Sequence, residues 1–458
     1  MDDSNKNYTT ATLLLFSFMG IVPLGAQAEE INQLETINVS ATAESKTLAG
    51  KDEVYSKNNV TEYKSKKEIE TYHSQSVSDL LSGITGVYSG DARNGGAIDP
   101  IIRSSWGQGR IPVLVDDTEQ AITIWRGYSG VSNRNYLDPF LVSEVNVEKG
   151  PNLDRTLRSG AAGTIRMSTL NPDDIIKPGK KWGIELKTET ANNSIKARPY
   201  EGIPIGQDYR LVAPDGRAEL AEWALYFKDD DRISPRKKGR NKPLHDNAVR
   251  LALAAKDDGY EVLGAYAYRN KGNYFAGKRG GKKYGEGTTG PLNLDKNSDD
   301  PYIPLIARIY KPGEEVPNTS YESRSWLLKG KLHFNKYASL SANFRDTRIN
   351  YGDIMPSRLG YNYSARNTVT QWPLADVKQK TGNVEFSYNP PDNKWVDLKI
   401  GVWAVKNDTA TNTSGGSPGD VLFSDYETQS LGNEAYHQLA DEIGDKAYDL
   451  DQIEDPAE

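Results

Sequence analysis

From about residue 180 onward the chain alternates apolar and polar residues with a period of two, in segments of about ten residues. Trp223, Leu225 and Phe227 share one face. Val249, Leu251, Leu253 and Ala255 share one face against Arg250, Ala252, Ala254 and Lys256. Trp326, Leu328, Gly330, Leu332 and Phe334 oppose Leu327, Lys329, Lys331 and His333. Leu340, Ala342 and Phe344 follow the same rule, as do Val396, Leu398, Ile400, Val402 and Ala404. Period two belongs to strands, not helices. A tilted strand of about ten residues is long enough to cross a bilayer. One apolar and one polar face suits lipid outside and a wet interior.

The connections narrow the choice further. Short turns fall at Pro214-Asp215-Gly216, Asp257-Asp258-Gly259, Asn335-Lys336 and Pro390-Pro391-Asp392-Asn393. Long loops fall at about 191–204, 229–245, 271–321, 351–376 and 408 to the end. Short and long connections alternate throughout, as in an outer-membrane β-barrel with short periplasmic turns and long external loops. A soluble β-sandwich predicts neither that alternation nor a fifty-residue loop between strands. The count is nine strands, whereas plugged barrels have about 22. An open edge in lipid leaves backbone groups unpaired, so nine strands imply the N-terminal portion of a larger barrel. The segment from Asp420 to Glu458 is acidic, with Lys446 its one Lys or Arg.

Composition then reads differently from its face value. A mean hydropathy of −0.67 suggests a soluble protein, but a barrel hides its membrane band in every second residue. The aromatic balance, 26 Tyr and 8 Trp against 9 Phe, favours rings at a membrane interface. The absence of cysteine excludes disulfides and thiolate metal sites or nucleophiles. A net charge of −7 argues against nucleic-acid binding by bulk positive charge.

Residues 1–28 read as a secretory signal: an apolar run from Thr10 to Leu24, then Ala26-Gln27-Ala28 as a cleavage site. The expected N-terminal region departs from pattern, because Asp2 and Asp3 precede a lone Lys6. Residues 29–52 read as a polar tether carrying the strand-like heptad Glu35-Thr36-Ile37-Asn38-Val39-Ser40-Ala41. Such a heptad can add to the sheet edge of a partner. Residues 53–175 read as a small α+β domain. It holds a short amphipathic helix with Leu80, Leu81 and Ile84 on one face, then a buried-strand pattern over Arg110–Asp117. A period-two strand at Val142–Lys149 turns at Gly150-Pro151, and Ser159-Gly160-Ala161-Ala162-Gly163 leads into a last strand.

In order and spacing these pieces resemble the plug of TonB-dependent outer-membrane receptors. There, a helix, I-R-G, a V-x-x-x-D-G strand, a Gly-Pro strand and a Gly-Ala-rich turn follow one another. Ser104 and Asp117 stand where the family has glycine. The resemblance implies an α+β plug followed by transmembrane antiparallel β-barrel strands over 176–458. It implies the heptad 35–41 as a TonB box, with TonB as partner and ExbB/ExbD behind it. It also implies export to the Gram-negative outer membrane, import of a scarce iron carrier, and no enzymatic role. By position Lys149 and Arg166 would lock plug to barrel wall.

The passage from Asp138-Pro139-Phe140-Leu141 through Met167 to Gly183 resembles the haem, haemoglobin and haemophore receptor branch. That implies haem or a haemoprotein as ligand, with a haemophore or host haemoprotein as partner; a ferric siderophore is the alternative. A truncated plug that only binds TonB is the reading from another class. Haem takes an axial His or Tyr. The chain has four His, of which His245 and His437 fall in expected external loops. Near the expected plug apex stand Trp125, Tyr128 and Tyr136, and a cationic loop carries Lys278 and Arg279. These are the candidate ligand-binding residues. No resident cofactor or metal is implied.

Overall fold

A computed structural model describes residues 43–90, 96–107, 109–120, 122–125, 131–152, 157, 160–200, 232–238, 245–279, 310–354 and 369–411. The first unit builds a sheet from five strands: β1 (Val60–Lys64), β2 (Val113–Val115), β3 (Thr118–Glu119), β4 (Val142–Lys149) and β5 (Gly163–Thr169). Their spatial order is β1-β4-β5-β2-β3, antiparallel except for the β2–β5 pair. Valines at alternate positions of β4, Val145 and Val147, face a core shared with Leu80, Leu81, Val113 and Ile165. Helix α1 (Lys66–Thr71) is begun by a capping box in which Ser65 and Glu68 exchange hydrogen bonds.

The amphipathic helix expected near residue 77 is shorter than its pattern suggests. Val77–Leu81 forms a 3-10 turn and stops, because Gly83 and Gly86 take φ of +80° and +69°. Its apolar face is nonetheless the expected one, with Leu80, Leu81 and Ile84 all buried.

The second sheet has seven antiparallel strands: β6 (Trp182–Ala191), β7 (Asp246–Asp257), β8 (Tyr260–Lys271), β9 (Tyr321–His333), β10 (Ala338–Tyr351), β11 (Ala375–Tyr388) and β12 (Leu398–Ala410). They lie in sequence order, and the sheet does not close on itself among the described residues. These are seven of the nine expected strands. All ten residues of β6 pair directly with β7, from Trp182 opposite Ala255 to Ala191 opposite Asp246. The second and third expected strands, with Trp223, Leu225 and Phe227, lie outside the described residues.

The outward face of the sheet carries Trp182, Ile184, Leu186, Leu251, Leu253, Trp326, Leu328, Ile400 and Val402, all exposed. The rings of Tyr266 and Trp326 pack at a tilt of 46° with 4.6 Å between their centres, level with Asp346. Toward the ends that bear the long connections the same face turns ionic, with pairs such as Lys380–Asp346 at 3.6 Å. An apolar band bounded by aromatics and then charge is the lipid-facing pattern of a transmembrane barrel. Among the described residues no helix is long and apolar enough to span a membrane.

Candidate functional site: the seam between plug and strand wall

The inward faces of β6–β11 meet the first unit along a seam of buried charge. At the short-turn end, Asp116 and Asp117 form the two-residue turn between β2 and β3, with φ of 49° and 59°. That turn wants positive φ at both centres, and Asp tolerates it where the family uses glycine. Ser104, at the other departure from the family pattern, takes φ of 65° in the same way. The turn aims Asp116 at the wall. Lys329 Nζ of β9 donates to Asp116 Oδ1 at 2.8 Å, to the Thr169 carbonyl at 3.1 Å and to Asn171 Oδ1 at 3.2 Å. Thr169 donates to the same carboxylate through its N–H at 2.9 Å and its hydroxyl at 2.6 Å. Asn383 of β11 donates to the Asp116 carbonyl at 2.8 Å. Burial alone raises a carboxyl pKa; Lys329 and the Thr169 donors outweigh it and hold Asp116 below the usual carboxylate range.

At mid-height Phe140 is the anchor. Asp138 caps the short 3-10 turn Pro139–Leu141 by accepting from the Phe140 N–H at 2.8 Å, and accepts from Ser323 of β9. Three wall cations lie against the Phe140 ring: Arg269 at 4.4 Å, Lys187 at 4.8 Å and Arg250 at 5.9 Å from its centre. Helix α1 supplies counter-charge. Glu70 sits 3.3 Å from Lys187 and 3.1 Å from Arg250, and Lys66 sits 2.9 Å from Glu185. At the long-connection end Arg134 pairs with Asp353 at 2.9 Å and donates to the Tyr351 hydroxyl.

Among the expected site residues, Lys149 makes different contacts. Lys149 was expected to reach the barrel wall. It donates instead to Glu62 and, at 2.6 Å, to the Thr85 carbonyl, both within the plug, because its position in β4 turns it toward the neighbouring β1. Arg166 pairs with Asp117 on the plug at 3.1 Å and lines a seam cavity of about 320 Å³ shared with Lys331 and Glu385 of the wall. Tyr136 is fully buried, with its hydroxyl 3.4 Å from that of Tyr351, so it is closed to an external ligand in this state. His245 is half-buried, its Nδ1 3.0 Å from Ser194 Oγ and 3.5 Å from Asp246 Oδ1. Trp125 lies on the short strand Ile122–Trp125. Tyr128, His437 and the heptad 35–41 lie outside the described residues.

Lys278 and Arg279 are exposed on a structured platform at the long-connection end. Four segments meet there: Ser194–Ile195 pairs with Asn273–Tyr274, Ala276 N–H donates to the Glu314 carbonyl at 2.8 Å, and Lys238 N–H to the Gly313 carbonyl at 3.0 Å. Fully buried Glu315 ties them together. Arg236 donates to both its oxygens at 2.6 and 2.7 Å and Asn273 at 2.9 Å. Burial pushes the Glu315 carboxyl up, but these donors bring it below its ordinary value. Among the described residues no cluster of three His, Asp or Glu is set to hold a metal.

Sequence reasoning missed Asp116, Phe140, Arg250 and Lys329 as seam residues. The signal was present: Arg250 and Lys329 stand on the face opposite the apolar stripe of their strands, where a cation must meet water or the plug.

Comparison with known proteins follows the same division. Residues 54–164 match the TonB-dependent receptor plug domain. Over 384 residues the chain is 38% identical to the hemophilin receptor of Acinetobacter baumannii, covering 83% of this chain and 35% of that protein. Over 121 residues it is 31% identical to the heme transporter BhuA of Brucella ovis, covering 26% of this chain and 17% of that one. Among solved structures, a double mutant of the Serratia marcescens hemophore receptor HasR, in complex with its hemophore HasA and heme, superposes with a TM-score of 0.52. It does so at 17% identity, over 78% of this chain and 40% of that one, a likeness of fold. The chain thus spans about a third of the first curated relative.

Proposed function

This chain carries the plug domain and barrel strands of a TonB-dependent receptor, and from that premise we propose that it serves the import of haem, delivered by a carrier protein, across a bacterial outer membrane. The observation that carries the reading is the 38% identity to a hemophilin receptor, which runs through 83% of the chain rather than the plug alone. The passage around Phe140 adds to it, because the residues that resemble the haem branch are those that anchor plug to wall. The apolar outward band supports a place in the membrane. The ends with long connections then face the outside, and the heptad 35–41 reaches TonB in the periplasm.

The mechanism follows from the seam. Plug and wall are joined by charged and polar contacts and by two buried apolar clusters, one of Phe140, Leu141, Leu170 and Ile175 against Ala252, Leu263, Ala265 and Leu327, the other of Ala97 and Tyr136 against Tyr321, Ile349, Tyr351 and Val377. The charged contacts can be exchanged for water, whereas parting the apolar ones exposes surface and sets part of the work that a pull must do. A pull through the TonB segment, driven by the inner-membrane proton gradient, would part Asp116 from Lys329 and Glu70 from Arg250 while the plug's own valine and leucine core stays packed. Haem would pass through the opening. No nucleotide site is required.

Growth tests the proposal. A strain lacking the gene, supplied with haem-loaded hemophilin as its iron source, should fail to grow and recover when the gene is returned. Growth unimpaired on that source, together with loss of growth on a ferric siderophore, would replace haem by siderophore.

A further inference from the structure

The platform at the long-connection end is a cation island in an acidic chain. The described segments 193–198, 232–238, 273–279 and 310–316 hold nine Lys or Arg against two Glu. Both glutamates are buried: Glu315 completely, under Arg236, and Glu314 at 9% exposure. Lys196, Lys237, Lys278, Arg279 and Lys311 are all exposed. The chain as a whole carries −7, so this is not bulk charge.

The cations are also held together. Arg236 donates to the Lys196 carbonyl at 2.7 Å, Arg198 to the Ser234 carbonyl at 2.7 Å, and Lys238 Nζ to Asn193 Oδ1 at 2.7 Å. Gly313 lies against the Lys278 stem, where an added Cβ would come within 2.6 Å of it. Beneath them Val316, Ile354 and Trp372 form a small core of their own. A loop cluster with a buried ion pair and an apolar base presents its charges in a fixed pattern.

We propose that this platform docks the acidic face of the haem-carrying partner protein. The inference rests on the function proposed above and adds the chemistry of the partner's surface. Cations set side by side on an exposed surface suit an extended face of opposite sign; a small anion such as a haem propionate is held by donors converging in a pocket. Like charges at this density raise the association rate of an acidic partner and repel basic ones. The field reaches about 8 Å at physiological salt, enough to orient a protein before contact.

The test uses the full chain in detergent micelles and in lipopolysaccharide-containing vesicles, with haem-loaded hemophilin as the probe. The triple variant Lys237→Glu/Lys278→Glu/Arg279→Glu should associate about tenfold or more slowly than wild type. Its rate should lose most of the wild type's dependence on salt. Lys237→Gln/Lys278→Gln/Arg279→Gln should fall between the two, and an unchanged hydrogen-exchange pattern in β6–β12 certifies folding of both. Association of the triple variant at the wild-type rate, with hemophilin still bound, overturns the platform and leaves the proposed function standing. No binding of hemophilin by the wild type overturns the function itself. A defect seen in lipopolysaccharide vesicles but absent in micelles assigns the cations to lipid phosphates and overturns the proposal. So does an equal loss of free haem binding, which would assign them to propionates.

Discussion

Replacing Lys329 by alanine should loosen the plug at one end while leaving its core intact. In the seam Lys329 and Asp116 are 9% and 11% exposed, and the pair spans plug and wall at 2.8 Å. Removing one member of a buried pair strands the other, at about 3–5 kcal/mol. Asp116 keeps the two Thr169 donors, so the lower end applies, about 3 kcal/mol. At about 1.4 kcal/mol per decade, local opening becomes about a hundredfold more frequent. Hydrogen–deuterium exchange of the full chain in micelles reads this directly. Peptides covering 112–120 and 165–171 should exchange about a hundredfold faster in Lys329→Ala. Peptides from β1 and β4, on the far side of the plug sheet, should change little. The double variant Asp116→Asn/Lys329→Met removes the stranded charge and should recover most of the protection. Exchange in the single variant within about threefold of wild type would refute the seam as an electrostatic joint, since about 3 kcal/mol cannot hide in so small a change.

Acid should act on the same joint. Asp116 has its carboxyl held below the ordinary value near 3.8, so its contribution is complete above that pH and is lost as pH falls through the folded value. Plug-peptide exchange should therefore stay flat from about pH 5 to 8, once corrected for intrinsic rates, and rise only below about pH 4. Glu315→Gln weakens a buried charge pair with Arg236 and should loosen the platform by about 2–4 kcal/mol, read as faster proteolytic nicking between residues 193 and 316. Leu328→Arg places a charge in the outward apolar band at a cost of about 2–4 kcal/mol, and should lower the membrane-inserted fraction measured by heat-modifiable gel mobility. Gly163→Ala puts a methyl 2.4 Å from the Glu148 carbonyl at a φ of +146°, and should unfold the plug sheet before the barrel strands in a denaturant titration.

The strand wall was legible because period-two patterning acts locally: each strand of the wall declares its own two faces. The plug was legible through turn chemistry, where Gly150-Pro151 and the Gly-Ala run punctuate short strands. Strand neighbours were not, since nothing within residues 182–191 says that 246–255 lies beside them. The seam partners were half legible. Arg250 and Lys329 stood out as charges on inward faces, but the identity of the opposing Glu70 and Asp116 depends on how the plug sits. Lys149 was not legible for the same reason: its charge is taken up by Glu62, a neighbour distant in sequence, and Tyr136 likewise meets the distant Tyr351.

Energised import of carrier-borne haem is the function proposed for this protein. Accumulation of radiolabelled haem from hemophilin, measured in cells with and without the gene, before and after a proton uncoupler, tests it most directly. Label should enter only when the gene is present, and should stop entering, while surface binding persists, once the proton gradient is collapsed. Entry that ignores either the gene or the gradient would contradict the account.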